Sequence, residues 1–453
     1  MVKKENTSED VLENKIGIGK FWAWNSRTIS VSINALIMGY VVFFCTDTLR
    51  LSPIVVGAIL MVSRCIDAFT DLFAGFFVDR TSTKLGKGRP FEFCVIGLWL
   101  CTILLYSCPD SLSTMIKYIW IFVTYFFVQS VFNTLLGASD IVYLVRAFKN
   151  QEQYAKLNSL SGILISIAGL LFNVSFPILM AKLAVSPAGW RILIAIYAIP
   201  CAVLGMFRFI FVKEVNDVDG NSSADKIKLK DVGILLKTNK YIYPIGLAVF
   251  LVSFLANMGV AVYYYTYILE NISLMSLGAI VSMLTVPVLF VFPKLVQKMP
   301  IKQIMIYGAF IGAVGYFIQF LANKNFIVLM IGSMIGGLGM LPFSYLVSLL
   351  VIDCATFNEW KKRPRMEGTL NTVVAIAKKG GAAFGAGFAG LLLGLAGYDK
   401  SLAIMPDSAL FMIRVLMGLI PAICYLLTIV CLRIYKLDKL MPQIRKDLEE
   451  VKE

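Results

Sequence analysis

The sequence predicts an all-α integral membrane protein of twelve transmembrane helices in two six-helix bundles, and three observations carry that reading. The 453 residues are 58% hydrophobic and only 15% charged, where soluble domains run about 45–50% apolar and 25% charged. The apolar residues come in continuous runs of roughly 20, the length a helix needs to cross a hydrocarbon core. Lys and Arg collect at alternate ends of those runs. The first observation excludes a soluble multidomain enzyme. The second excludes a β-barrel, whose strands alternate apolar and polar residues.

In chain order the runs fall near 21–46, 53–78, 91–108, 117–144, 159–183, 191–212, 242–269, 273–293, 303–322, 326–352, 369–397 and 408–434. A polar stretch rich in Gly, Asn, Ser, Asp and Lys interrupts them at 213–240 and divides the chain nearly in half. The expected organisation is therefore a tail over 1–20, a bundle over 21–212, a central loop over 213–240, a second bundle over 241–435 and a tail over 436–453. Residues 1–20 are polar and charged, and read as a mature cytoplasmic tail rather than a cleavable signal.

Orientation follows from the basic residues. With both termini in the cytoplasm, the inner loops hold twenty Lys and Arg, among them Arg80, Lys84, Lys87 and Arg89 after the second run. The outer loops hold six. This bias sets topology, and it accounts for the net charge of +14 without a nucleic-acid partner. The chain has no histidine, which excludes His-based catalysis and metal binding; its nine cysteines form no CxxC and read as small buried hydrophobes.

Ionisable side chains inside a membrane span cost about 2.5–3.5 kcal/mol each at the helix centre, so each needs a reason. The second run contains Arg64, Asp67 and Asp71. Spacings of three and four residues place them on one helical face. A structural ion pair would use Arg64 and one carboxylate, leaving the other uncompensated. A cation or a proton would balance the second, since hard oxygens suit Na⁺ and a paired carboxylate suits H⁺. The eleventh run contains Lys378 and Lys379, about 100° apart on a helix, so that one of them faces a cavity. Lys379 is the expected partner of the acidic face.

Polar residues elsewhere admit two readings. Trp22, Trp24, Asn25 and Arg27 begin the first run, as a headgroup anchor or as cavity lining. Gln129, Ser130 and Asn133 give the fourth run a polar face, either for an ion or solute or for interhelical hydrogen bonds. Tyr263, Tyr264, Tyr265 and Tyr267 suit a sugar ring or an interfacial belt equally. Gly385, Gly387 and Gly390 spell GxGxxG but follow no strand, and with Gly381 they suit close helix packing instead of a nucleotide.

Three segments resemble the glycoside–pentoside–hexuronide:cation symporters, the melibiose permease group of the major facilitator superfamily. SRCIDAFTDLFAGFFVDRTSTKLGKGRPF (63–91) is similar to the family's R-x-x-D-A-x-x-D helix and the basic loop after it. DCATFNEWKKRPRMEGTL (353–370) is similar to its Glu-aromatic-Lys and Arg-x-Glu loop, and AKKGGAAFG (377–385) to its Lys-Gly-Gly. The resemblance spans about 17–435. It implies the major facilitator fold, no enzymatic activity and no cofactor beyond Na⁺ or H⁺ as coupling ion. It also implies cation binding by Asp67, Asp71 and Ser130, a charge network of Arg64 and Lys379, and cytoplasmic gating contacts at Arg365 and Glu367.

By the same resemblance the solute is a sugar, and the polar residues of the first and fourth runs, Asn25, Arg27, Gln129 and Asn133, are its expected contacts. The sugar positions depart from the family. Lys20 stands where the first span often carries an Asp, Asn133 stands at the fourth-span position, and 159–169 has no arginine. The departures leave a non-sugar amphipathic or lipid-like solute as an alternative, and a non-transporting receptor as another. A multi-pass protein of the bacterial inner membrane, working as a monomer in the lipid bilayer, completes the expectation.

Overall fold

The structure is a computed structural model that describes residues 16–148, 151–215, 239–402 and 404–450. Most of the tail expected over 1–20 and most of the loop expected over 213–240 lie outside the described residues. The chain divides into two compact units, Met1–Phe44 with Val62–Ser222 and Cys45–Met61 with Ser223–Glu453.

Nine helical segments among the described residues are long and apolar enough to cross a membrane. In the first unit they include Arg89–Tyr106, Thr114–Ala147, Leu160–Leu183 and Pro187–Phe211. In the second they include Ile242–Ile268, Ile301–Ala322, Phe326–Trp360 and Asp407–Ile434. Two further helices of spanning length carry charged residues within them. Pro53–Arg80 carries Arg64, Asp67 and Asp71, and Glu367–Leu395 carries Lys378, Lys379 and a run of glycines.

The eighth run differs from expectation. It forms a short helix, Leu274–Ser282, then a 3₁₀ stretch over Met283–Val291 with Pro287 inside it, then Phe292–Lys298. Pro287 has no N–H to donate and its ring crowds the preceding turn, which weakens the α-helical ladder there.

Within the first unit, polar side chains of the helix Ile18–Met38 are spent on its neighbours. Trp99 Nε1 donates to Ser30 Oγ over 2.8 Å, Ser30 Oγ donates to the Cys201 carbonyl over 2.7 Å, and Asn34 Nδ2 donates to Thr102 Oγ1 over 2.8 Å. The basic loop after the second run is held by one carboxylate. The backbone N–H groups of Lys87, Gly88 and Arg89 all donate to Glu214, over 2.7–2.9 Å. Successive amides converging on an anion form a nest. Gly86 makes room for it: its φ is +114°, and a Cβ there would lie 2.4 Å from the Glu214 carboxyl group.

In the second unit, the glycines of Glu367–Leu395 face backbone. A Cβ on Gly381 would meet the Phe250 carbonyl at 2.2 Å, and one on Gly385 the Phe254 carbonyl at 2.2 Å. On the other side of the helix, Gly390 stands against the Pro53 carbonyl. The GxGxxG pattern is thus a packing seam between helices.

Candidate functional site

The acidic face of Pro53–Arg80 lies in the first unit, against the fourth run. That run is not a uniform helix: Thr114–Phe126 passes into a π-helical turn, Phe127–Asn133, before continuing as Thr134–Ala147. A π turn inserts an extra residue and is frequent at functional sites. Gln129, Ser130 and Asn133 all sit in it, and the sequence periodicity carried no sign of the shift it introduces.

Three hydrogen bonds join the two helices there. Thr134 Oγ1 donates to Asp67 Oδ1 over 2.7 Å, Ser130 Oγ donates to the Ser63 carbonyl over 3.2 Å, and Arg64 Nε donates to the Tyr125 hydroxyl over 3.0 Å. Arg64 also interacts electrostatically with Asp67. Asp67 and Asp71 are half-buried, Ser130 is buried, Gln129 is half-buried and Asn133 is exposed. The structure therefore brings Arg64, Asp67 and Ser130 to one helix pair and adds Thr134, Ser63 and Tyr125, which sequence reasoning passed over. Hydroxyls carry no charge and interrupt an apolar run only weakly, so no signal marked them.

Asn25 and Arg27 are placed differently from the expectation that they line a solute cavity. Arg27 is 5% exposed; it donates to Asp140, and from Nη1 to the Leu136 carbonyl over 3.4 Å. Arg208 is fully buried, with Nη1 2.5 Å from Asp140 Oδ1 and Nε donating to the Trp24 carbonyl over 2.9 Å. Glu92, also fully buried, lies 3.6 Å from both guanidinium groups. Two cations and two anions make a neutral cluster, and a buried charge is tolerated only when paired. That requirement ties Arg27 to counter-ions rather than to solute.

Asn25 is equally committed, donating to the Phe21 carbonyl over 2.9 Å and accepting from Ser161 Oγ. Trp24 is no headgroup anchor either: it is 3% exposed, with the Arg208 guanidinium 3.5 Å above its ring. Glu92, Asp140 and Arg208 were findable, since each is an ionisable residue within or at the edge of an apolar run.

The remaining candidates belong to the second unit. Lys379 is half-buried and Lys378 exposed, midway along Glu367–Leu395. Arg365 Nε donates to Glu367 Oε1 over 2.8 Å, and its Nη1 pairs with Glu359. The hydrogen bond to Glu367 is the main cause of a guanidinium pKa raised above its ordinary value. The tyrosines neither form a free belt nor expose their faces. Tyr263 bonds to Thr46 over 2.6 Å, and Tyr267 donates to Asp47, which Lys400 Nζ approaches to 3.4 Å.

A family model described as "MFS/sugar transport protein" matches residues 31–439. An isoprimeverose transporter of Lactiplantibacillus pentosus is 25% identical over 430 residues, covering 92% of this chain and 88% of that protein. A glucuronide carrier protein homolog of Escherichia coli (strain K12) is 26% identical over 428 residues, covering 91% of each. Among solved structures, a bacterial homolog of the human lysosomal transporter Spinster, inward-facing and unoccupied, covers 95% of this chain and 98% of its own. Its TM-score is 0.65 at 14% identity, a likeness that concerns the fold.

Proposed function

The chain belongs to the MFS/sugar transport protein family, and from that premise we propose that it couples entry of Na⁺ or H⁺ to uptake of a sugar or glycoside by alternating access. It is a membrane transporter, not an enzyme. The observation that carries the coupling is the acidic face of Pro53–Arg80, where Asp67 accepts a hydrogen bond from the fourth run at the level of its π turn. Cation binding at Asp67 and Asp71 would neutralise that face and lower the cost of moving it through an apolar environment, so ion occupancy biases the conformational equilibrium.

Arg64 and Lys379 serve as the balancing charges, and Arg365 with Glu367 as an inner contact that breaks and reforms. Gln129 and Asn133 are the solute contacts in this reading, whereas Asn25 and Arg27 hold helices. The names of the two relatives, an isoprimeverose transporter and a glucuronide carrier homolog, support a glycoside, pentoside or hexuronide as solute. Twelve spans follow if Pro53–Arg80, Glu367–Leu395 and the broken stretch 274–298 join the nine apolar ones. The bias of basic residues then puts both termini in the cytoplasm of a bacterial inner membrane, and the working unit is a monomer.

The test is ion entry into energy-depleted vesicles on addition of single glycosides, pentosides and hexuronides, with Na⁺ and H⁺ both followed. One member should draw in one ion. Asp71→Asn should abolish the coupled uptake while the protein stays in the membrane. Accumulation at the wild-type level by that variant would overturn the assignment.

A further inference from the structure

Two cavities open along one pair of helices in the second unit, Ile242–Ala256 and Ile420–Ile434. The first, of about 470 Å³, lies at the end where the chain enters Ile242 and leaves Ile434. Tyr243, Leu247, Cys431 and Ile434 wall it, and Lys240 and Lys436 complete its lining. The second, of about 340 Å³, lies further along the same helices, between Phe250, Phe254 and Phe388 on one side and Ile420, Ile423 and Cys424 on the other. Every side chain that lines it is apolar.

The two cavities are stretches of one seam. Tyr243, Leu247, Phe250 and Phe254 recur at the spacing of a single helical face, and so do Ile420, Cys424, Cys431 and Ile434. From Tyr243 to Phe254 a helix rises about 16 Å, the depth of one leaflet of a roughly 30 Å hydrocarbon core. The seam faces outward: Tyr243, Leu247, Ile423 and Ile434 are 47–62% exposed.

Its charged end is not neutralised by protein. Neither Lys240 nor Lys436 makes an ion pair among the described residues, and Lys240 Nζ approaches only the Tyr241 ring, 6.0 Å from its centre. Asp438, two residues beyond Lys436, is taken by Lys302 at 3.3 Å. A sugar would find no hydrogen-bonding group along the apolar stretch, and a free anion would leave that stretch unfilled. Two cations beside an apolar slot one leaflet deep suit an anion that carries its own hydrocarbon.

We propose that this seam binds an anionic phospholipid, with the phosphate at Lys240 and Lys436 and an acyl chain laid along the apolar stretch. Basic pockets between transmembrane helices take such headgroups, and tyrosines sit at headgroup level. The bound lipid fastens the first helix of the second unit to its last long one. The site shares no residue with the proposed coupling site, so the two proposals stand or fall separately.

The experiment uses the full-length protein, purified and delipidated in detergent. It is titrated with phosphatidylglycerol, with phosphatidylcholine of the same chains, with short-chain phosphatidylglycerol and with inorganic phosphate. The readouts are thermal unfolding and the lipid retained in native mass spectrometry. Long-chain phosphatidylglycerol should raise the unfolding temperature and stay bound, and the short-chain form should need at least tenfold more. Lys240→Gln and Lys436→Gln should each raise the half-saturating concentration about fivefold, and together about 25-fold. The single variants keep the test if the double one does not fold. Lys294→Gln with Lys298→Gln, which removes two exposed lysines elsewhere in the unit, should stay within about twofold of wild type.

Equal responses to phosphatidylcholine and phosphatidylglycerol would overturn the proposal, and so would equal protection by inorganic phosphate, which would mark a simple anion site. Wild-type half-saturation in the Lys240 and Lys436 variants would overturn it too. An equal loss in the Lys294 and Lys298 pair would reduce it to general surface attraction.

Discussion

Asp140 Oδ1 lies 2.5 Å from Nη1 of Arg208, a guanidinium with no solvent contact, and the same carboxylate accepts from Arg27. One half-exposed anion from the fourth run thereby pairs with cations from the first and the sixth, and Glu92 completes the charge balance. Replacing it by Asn leaves Glu92 as the one remaining carboxylate of the cluster for two buried guanidiniums. The expected cost is on the order of 2 kcal/mol, below the roughly 3–5 kcal/mol of a fully buried pair because Asp140 retains solvent access. Thermal unfolding in detergent measures it. Pairing Asp140→Asn with Arg208→Gln should destabilise by less than the two single changes added together; simple additivity would mean the contact is not energetically coupled.

The seam of Glu367–Leu395 makes a sharper demand on size than on chemistry. Gly385→Ala puts a methyl group 2.2 Å from a carbonyl oxygen, whereas a Cβ on Gly380 meets only the Phe250 ring, at 3.5 Å. The first change should destabilise by about 1–3 kcal/mol, the usual range for overpacking. Gly380→Ala should be close to neutral. Equal unfolding temperatures for the two variants would show that the helices are not held at this distance.

Glu214 is the anchor of the basic loop after the second run, through three backbone N–H groups. Glu214→Ala removes all three acceptors at once and should open that loop locally, at a cost of about 1–3 kcal/mol. The check is trypsin cleavage at Lys84 and Lys87 in inside-out vesicles, which should accelerate. Unchanged cleavage would mean that the loop holds its shape by other contacts.

The helix Met441–Glu450 is docked on the second unit rather than trailing from it. Arg445 Nη2 lies 3.2 Å from Asp353 Oδ1, Trp360 Nε1 donates to Asp447 Oδ2 over 2.8 Å, and Met441 and Ile444 are buried. Ile444→Ala should lower stability by about 2–4 kcal/mol, as for other buried large-to-small changes. A limited-proteolysis time course should then release the C-terminal segment early. Wild-type resistance would place this helix outside the cooperative unit.

Much of the architecture was legible because a membrane span announces itself by composition over about 20 residues. The run expected at 303–322 is the helix Ile301–Ala322, and that expected at 408–434 lies within Asp407–Ile434. The break in the eighth run was not read, though Pro287 and Pro293 were in plain view, because hydropathy averages over a proline and a proline alone does not mark a break: Pro177, Pro200 and Pro342 lie inside continuous α-helices. The acidic face of the second run was legible for a related reason: charge in an apolar run is conspicuous. Thr134, Ser63 and Tyr125 were not, since a hydroxyl changes hydropathy little and its role depends on what stands opposite.

By itself, then, the sequence determined that the chain is a bundle of membrane helices and that Asp67 and Asp71 share a helical face. Each follows from interactions local to one segment: transfer of side chains between water and lipid, and the fixed angle between neighbours on a helix. Only the tertiary structure decided that Arg27 is tied to Asp140 and Arg208, that Thr134 is the residue that reaches Asp67, and that the GxGxxG pattern is a contact between backbones. Those pairings join residues from about 70 to about 340 positions apart in the numbering, and no local propensity specifies them. They are selected by the need to pair every buried charge and fill every close contact once the helices have come together.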